Sequence, residues 1–363
     1  MRMSRTFTRP ALAAGVLTLA ACARAVTVSS AGAGAANAPP ATGVTESEVR
    51  RLLGALADDS MEGRGTATRG SERAARFIAA ELERYGVRPA GDSGFFQRVP
   101  VAVVNRNGRR TLALLSSLEA RDTLAGDARA NAVNVVGIIR GSDPALRDQV
   151  VLVDAHYDHL GIDGREPGDS IFNGADDDAS GVVAVLEVAR ALARGPAPRR
   201  TVVVVATTGE ERGLLGTRWY IQHPVRPLDA MVANLEIEMI GRPDSLAGGA
   251  GRGWLTGYER STMGEMFAAA GLPIVPDARP SEQFFMRSDN IAFARAGIVA
   301  HTLSSFGLHR DYHTPSDDVA HVDFPHMTAL VDVTVRAVRL LADAPTKPEW
   351  KPGGRPEASS SRR

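Results

Sequence analysis

The sequence reads as an α/β fold in which helices are layered on a largely parallel sheet, and three observations carry that reading. From Asn131 onward, short runs rich in β-branched residues alternate with longer amphipathic stretches, the pattern of strands and helices in turn. Several of the runs are apolar throughout, as strands covered on both faces are. Histidines and carboxylates gather just beyond the ends of these runs, at the edge of an open α/β sheet where ligands usually bind.

Taken in order, the chain opens with Arg2, Arg5 and Arg9 ahead of a short apolar stretch from Ala11 to Ala20, too short to span a bilayer and typical of an export signal. Leu19-Ala20-Ala21-Cys22 resembles the bacterial lipobox, so residues 1–21 are expected to be a lipoprotein signal and Cys22 the lipidated residue. Ala23 after it suits the outer membrane, facing the periplasm. Cys22 is the single cysteine of the chain, which leaves no internal disulfide. Residues 22–43, rich in Ala, Gly, Ser and Pro, read as a flexible tether. A single domain is expected over 44–343, and the Pro-, Ser- and Arg-rich tail over 344–363 is expected to be disordered.

Within the domain, Thr45 and Glu48 form a capping-box pattern ahead of Val49, Leu52, Leu53 and Leu56. A second helix is expected from about Ser71 to Tyr85, stopped by Gly86. Phe95–Val104 and Thr111–Leu115 read as a hairpin around NRNG, and Ser116–Ala132 gives no clear signal. Strands are expected at Val133–Ile139, Val150–Ala155, Thr201–Thr207, Met231–Glu238 and Gly297–Leu303. Helices are expected at about Ser180–Arg194, Gly213–His223, Glu259–Ala270 and Phe324–Ala342. Lys+Arg and Asp+Glu balance at 42 each across 363 residues, so net charge points neither to nucleic acid nor to an anionic surface. The partner is to be sought in a pocket.

The chemistry concentrates in five stretches: HYDH from His156, GADDDASG from Gly174, GEERGLLGT from Gly209, LEIEMIG from Leu235, and DYHTPSDD from Asp311. His and carboxylates without Cys suit zinc or another divalent ion in a hydrolytic site. Three consecutive aspartates need positive charge nearby or a helix N-terminus to cap. Glu236 and Glu238 lie two apart on one strand face. His309 competes with His313, and His159 is balanced between a pocket and a surface role. His301, on an apolar strand, reads as a core histidine.

In this order and at these separations the five stretches resemble the co-catalytic di-zinc exopeptidase family, peptidase family M28, which holds bacterial leucyl-type aminopeptidases and glutamate carboxypeptidases. The resemblance covers roughly Val44 to Ala342, including DDSMEGRGTATRGSERAARFIAAEL. It implies a three-layer α/β/α sandwich around a mixed, largely parallel central sheet, and two zinc ions per chain. Carried over residue by residue, His156 and Glu238 hold one ion, Glu211 and His313 the other, and Asp176 bridges them. Glu210 is then the general base, and Asp158 the carboxylate that orients His156. The family often has Asp where Glu238 stands. The activity implied is that of an aminopeptidase acting on peptides, with a di-zinc carboxypeptidase or dipeptidase as the alternative and a metal-free binding module as a third. Arg287 and Arg310 are the candidates for a carboxylate-binding pocket.

Overall fold

The computed structural model describes residues 42–166 and 168–358. The stretch expected to be an export signal, the expected lipidation site at Cys22 and nearly all of the expected tether lie outside those residues. No helix among the described residues is long and apolar enough to cross a membrane.

The chain enters through α1 (Glu46–Leu56), where Thr45 accepts the amide of Glu48 at 3.3 Å. The reciprocal half of the expected capping box is absent, because the Glu48 carboxylate pairs with Arg51 and Arg84 instead. α2 (Arg69–Tyr85) starts two residues earlier than expected, capped by Thr68, and ends at Gly86 in the left-handed conformation. β1 (Arg88–Pro89) leads to the expected hairpin of β2 (Phe96–Arg106) and β3 (Arg109–Leu114). The region without a clear signal holds the short α3 (Leu118–Asp122) and the start of β4 (Arg129–Ile139).

β5 (Val150–His156) then carries the chain to the functional edge, followed by a small hairpin of β6 (Gly161–Ile162) and β7 (Ile171–Phe172). After it come α4 (Gly181–Arg194), β8 (Thr201–Thr207), α5 (Leu215–Gln222) and β9 (Met231–Ile237). β10 (Gly253–Leu255), α6 (Met263–Ala269), β11 (Ile274–Pro276), α7 (Asn290–Ala296), β12 (Ala300–Ser304) and α8 (Phe324–Asp343) complete the domain. β10, β11 and α7 have no clear sequence signal, because each is seven residues or fewer and shows no sustained period.

The main sheet runs β11-β10-β12-β9-β5-β8-β4-β2-β3, with β1 paired to β4. Its centre is parallel: β5 lies between β8 and β9, and β12 follows β9. The flanking pairs β4/β8, β2/β4, β2/β3 and β10/β12 are antiparallel. Alternation along β5 explains the layers. Val151, Val153 and Ala155 join the core beneath α1, α2, α4 and α8, while Val150 and Leu152 join the core on the opposite face with Tyr220 of α5 and Phe293 of α7. Each such buried aliphatic side chain contributes about 1.5–3 kcal/mol. The result is a three-layer α/β/α sandwich around a mixed sheet.

The end of the chain differs from expectation. Residues 344–358, expected to be disordered, return to the domain: Trp350 Nε1 donates to Gly297 O at 3.1 Å and Lys351 N to Arg260 O at 2.9 Å. Trp350 also packs edge-on against Phe285. An apolar ring in a polar-looking tail therefore supplies the anchor that composition hid. Residues 359–363 lie outside the described residues.

Candidate active site

Four parallel strands end at one edge of the sheet and deliver the polar groups there. β5 ends on His156, β8 is followed by Glu210 and Glu211, β9 by Glu238, and β12 by the loop bearing His309 and His313. The GADDD turn comes in from the hairpin side. Gly174 has φ +54°, and a side chain there would collide with the Asp177 carbonyl and the His159 ring.

Two groups of donor atoms meet on Asp177. In the first, His156 Nε2 lies 3.3 Å from Asp177 Oδ1 and 3.9 Å from Glu238 Oε1. In the second, His313 Nε2 lies 3.1 Å from Asp177 Oδ2 and 3.2 Å from Glu211 Oε1, and His159 Nδ1 lies 2.9 Å from the same Glu211 oxygen. Within each group all the atoms fall within 4.8 Å of one another. His156 Nε2, both ring nitrogens of His159 and Glu211 Oε1 are buried without a hydrogen-bond partner. Buried polar atoms left so cost about 1–3 kcal/mol each, and imidazole nitrogens with carboxylate oxygens are the donor set of zinc. Two divalent ions, one per group and sharing Asp177, fit these residues.

The residue common to both groups is Asp177, not Asp176, the expected bridge. Asp176 turns away: its Oδ1 accepts the Gly241 amide at 2.6 Å and its Oδ2 accepts His309 Nε2–H at 2.9 Å. That pairing also removes His309 from the contest with His313. Asp178 accepts the amides of Gly181 and Met239, both at 3.0 Å, capping α4 and tying it to the exit of β9. The three neighbours diverge because the backbone leaves the helical region at Asp177 and Asp178. Asp317, one turn beyond His313, holds this turn by accepting the amides of Asp176 and Asp177 at 2.9 and 3.0 Å.

Asp158 is also placed differently from expectation. The Nδ1–H of His156 donates to the main-chain carbonyl of Asp158 at 3.1 Å, not to its carboxylate. Because a carbonyl only accepts, this contact puts the proton on Nδ1 and leaves the Nε2 lone pair facing the cluster. The Asp158 carboxylate instead accepts Thr66 Oγ1 at 2.7 Å and the Glu210 amide at 3.2 Å. It thus positions the residue expected to move the proton. Burial and the neighbouring Glu238, Asp289 and Glu211 push the Glu210 carboxyl well above its usual range, with His156 opposing. Glu238 is pushed up to about 8 by burial and by the neighbouring Glu236, with His156 opposing. Cations bound there act in the opposite sense.

Glu236 serves the fold. Its carboxylate accepts Ser288 Oγ, the amides of Asp289 and Asn290 at 3.0 and 2.9 Å, and Thr302 Oγ1 at 2.7 Å, joining β9 to α7 and β12. His301 is a satisfied core histidine between Ser261 Oγ and Thr256 O, each at 2.7 Å.

Two further features of the site are Arg64, which escapes the sequence reading, and a pocket whose walls that reading gives only in part. Arg64, fully buried, donates to the carbonyls of Tyr157, Leu56, Asn173 and Gly174 at 2.5–2.9 Å, pinning the loop after β5 to the GADDD turn. An arginine in a polar loop reads as a surface residue unless its partners are known. Replacing it by Met is expected to cost roughly 3 kcal/mol or more, since several buried carbonyls lose their donor together. Urea unfolding checks this, and a loss under about 1 kcal/mol would mean that those carbonyls find other partners. The second feature is a pocket beside Asp177, Glu210 and Glu238, walled by Met239, Trp254, Phe284, Phe306 and Tyr312. Trp254 stacks on Phe284 with ring centres 5.0 Å apart. Arg287 stands at its edge over Phe284, whereas Arg310 does not line it.

The model of peptidase family M28 matches residues 134–338, which contain every one of these cluster residues. Among curated proteins, the chain is 26% identical over 258 residues to aminopeptidase YwaD of Bacillus subtilis, covering 69% of this chain and 54% of that one. It is 27% identical over 234 residues to a vacuolar membrane protease of Tuber melanosporum, covering 61% of this chain and 22% of that one. The chain thus spans about a fifth of the fungal protein and about half of the bacterial one. Among solved structures, a zinc aminopeptidase from Bacillus subtilis superposes with a TM-score of 0.60 at 15% identity, over 83% of this chain and 96% of that one. A Zn-dependent exopeptidase from Parabacteroides distasonis gives 0.58 at 16% identity, over 82% and 98%. With its matched span, its sandwich fold and the His and carboxylate cluster at the sheet edge, this chain belongs to peptidase family M28.

Proposed function

We propose that the chain is a zinc exopeptidase, an aminopeptidase that removes N-terminal residues from peptides, with Glu210 as general base. The observation that carries the reading is the meeting of two donor groups on Asp177, with unpartnered buried atoms, directly beside Glu210 and an aromatic-walled pocket. His156, Asp177 and Glu238 would hold one ion, and Asp177, Glu211, His313 and the added His159 the other. Such ions, when bound, supply a water of lowered pKa and polarise the scissile carbonyl.

The chain's own residues do the rest. Glu210 accepts a proton from the attacking water as its oxygen bonds to the carbonyl carbon. As the C–N bond breaks, the same carboxyl returns that proton to the leaving amine. Asp158 holds the Glu210 main chain, and the walls of Trp254, Phe284, Phe306 and Tyr312 receive an apolar substrate side chain and exclude water. The pocket is bordered by the carboxylates of Asp177, Glu210 and Glu238, an acidic surrounding that would favour a substrate with a free amino group.

One observation favours a second reading. Arg287 at the pocket edge, 3.6 Å from Glu282 and otherwise exposed, would suit a carboxylate, as in a carboxypeptidase or dipeptidase. Hydrolysis of aminoacyl-nitroanilides separates the two. Complete chelation is expected to abolish it and zinc to restore it. Turnover that survives full removal of metal would overturn the metallopeptidase reading, and zinc-dependent cleavage only of substrates with a free C-terminus would move the assignment to the second.

A further inference from the structure

We infer that His159 is a fourth protein ligand beside Glu211, His313 and Asp177, so that the two metal positions are unequal: one closed by four side chains, the other held by three and open. This rests on the metallopeptidase reading above. His159 is completely buried, and neither of its ring nitrogens has a hydrogen-bond partner. Yet Nδ1 stands 2.9 Å from Glu211 Oε1, an oxygen that also lacks a hydrogen-bond partner, and 3.7 Å from Asp177 Oδ2. A histidine serving only to donate its proton to Glu211 would be aligned along that line. Two polar atoms so close without alignment are placed as ligands of a common ion are.

The spacing agrees. A tetrahedral zinc with ligands at about 2.0–2.2 Å separates its ligand atoms by roughly 3.3–3.6 Å. Contacts of 2.9, 3.1, 3.2 and 3.7 Å among His159, His313, Glu211 and Asp177 bracket that value. The rings of His159 and His313 meet edge-on, 5.6 Å between centres at 68°, so both fit around one point without stacking. The place of His159 is built in. The ring lies against Gly174, where no side chain fits, and Arg64 ties the carbonyls of Tyr157 and Gly174 on either side of it.

The other group has three ligand residues and wider contacts, 3.3 and 3.9 Å, and it borders Glu210 and the pocket. Zinc sites with four protein ligands are characteristically structural, whereas those with three keep a position for reaction. The ion beside His159 is therefore the tighter and loads first, and the ion beside His156 serves the substrate.

The test is titration of the chelator-stripped full chain with zinc by calorimetry and with cobalt by visible absorption, for wild type and His159→Gln. The wild type is expected to take up two ions in separate steps, the first cobalt giving the intense bands of tetrahedral coordination. In the variant that step should weaken by more than about a hundredfold, beyond the 10- to 100-fold that loss of a non-ligating neighbour produces, and lose its tetrahedral bands. Two wild-type ions of equal affinity, or a variant whose first step and spectrum are unchanged, would overturn the inference and leave the peptidase reading intact. A wild type that binds no ion would overturn both. If the variant does not fold, the first cobalt spectrum of the wild type decides alone.

Discussion

Glu210→Gln is expected to keep its bound zinc and to lower kcat by roughly 10²- to 10⁴-fold, the contribution of a positioned proton-transfer group. The amide fills the same space and cannot accept a proton from water. The main chain should not move, because it is held through the Glu210 amide by the Asp158 carboxylate at 3.2 Å. Folding should not suffer either, since the change removes one carboxylate from a crowd that includes Glu238, Asp289 and Glu211. Metal analysis of the purified variant beside steady-state kinetics makes the distinction. Activity within about tenfold of wild type, with zinc retained, would remove Glu210 from the mechanism.

The adjacent aspartates provide the second large contrast. Asp177→Asn is expected to weaken zinc binding at both positions by at least about a hundredfold, because one carboxylate serves both groups and the amide offers a single neutral oxygen. Asp176→Asn should retain the full zinc content. Its cost is to stability, about 1.5–3 kcal/mol for the charged hydrogen bond between its carboxylate and His309. Equilibrium dialysis against zinc and urea unfolding of both variants separate the two roles. If Asp176→Asn stripped the metal and Asp177→Asn did not, the bridge would return to the position carried over from the family resemblance.

The difference between those two residues shows what is and is not legible in a sequence. The apolar runs at 150–156, 201–207 and 231–237, buried throughout, announce parallel strands, and strands of that kind set their functional groups at one edge. His156, Glu210, Glu211, Glu238 and His313 were all legible in this way, since each follows a strand end or stands in a stretch that resembles the family. The tail was misread because one tryptophan among prolines and lysines outweighs composition once it has a pocket to fill.

What the sequence by itself determined, then, is the layered fold, the edge at which chemistry collects, and the kinds of side chain found there. Period and burial decide those, and both are written along the chain. Only the tertiary structure decided which of three consecutive aspartates is shared, that His159 faces Glu211, that Asp158 works through both its main-chain carbonyl and its carboxylate, and that Arg64 is interior. These depend on backbone directions outside helix and strand, at Gly174, Asp177 and Asp178, where neighbouring side chains no longer follow a period. They also depend on partners brought from loops as much as 140 residues away, such as Asp317 on the amide of Asp177. The orientation of a side chain in such a turn is set by the groups that close around it, and those groups are assembled only when the strands are.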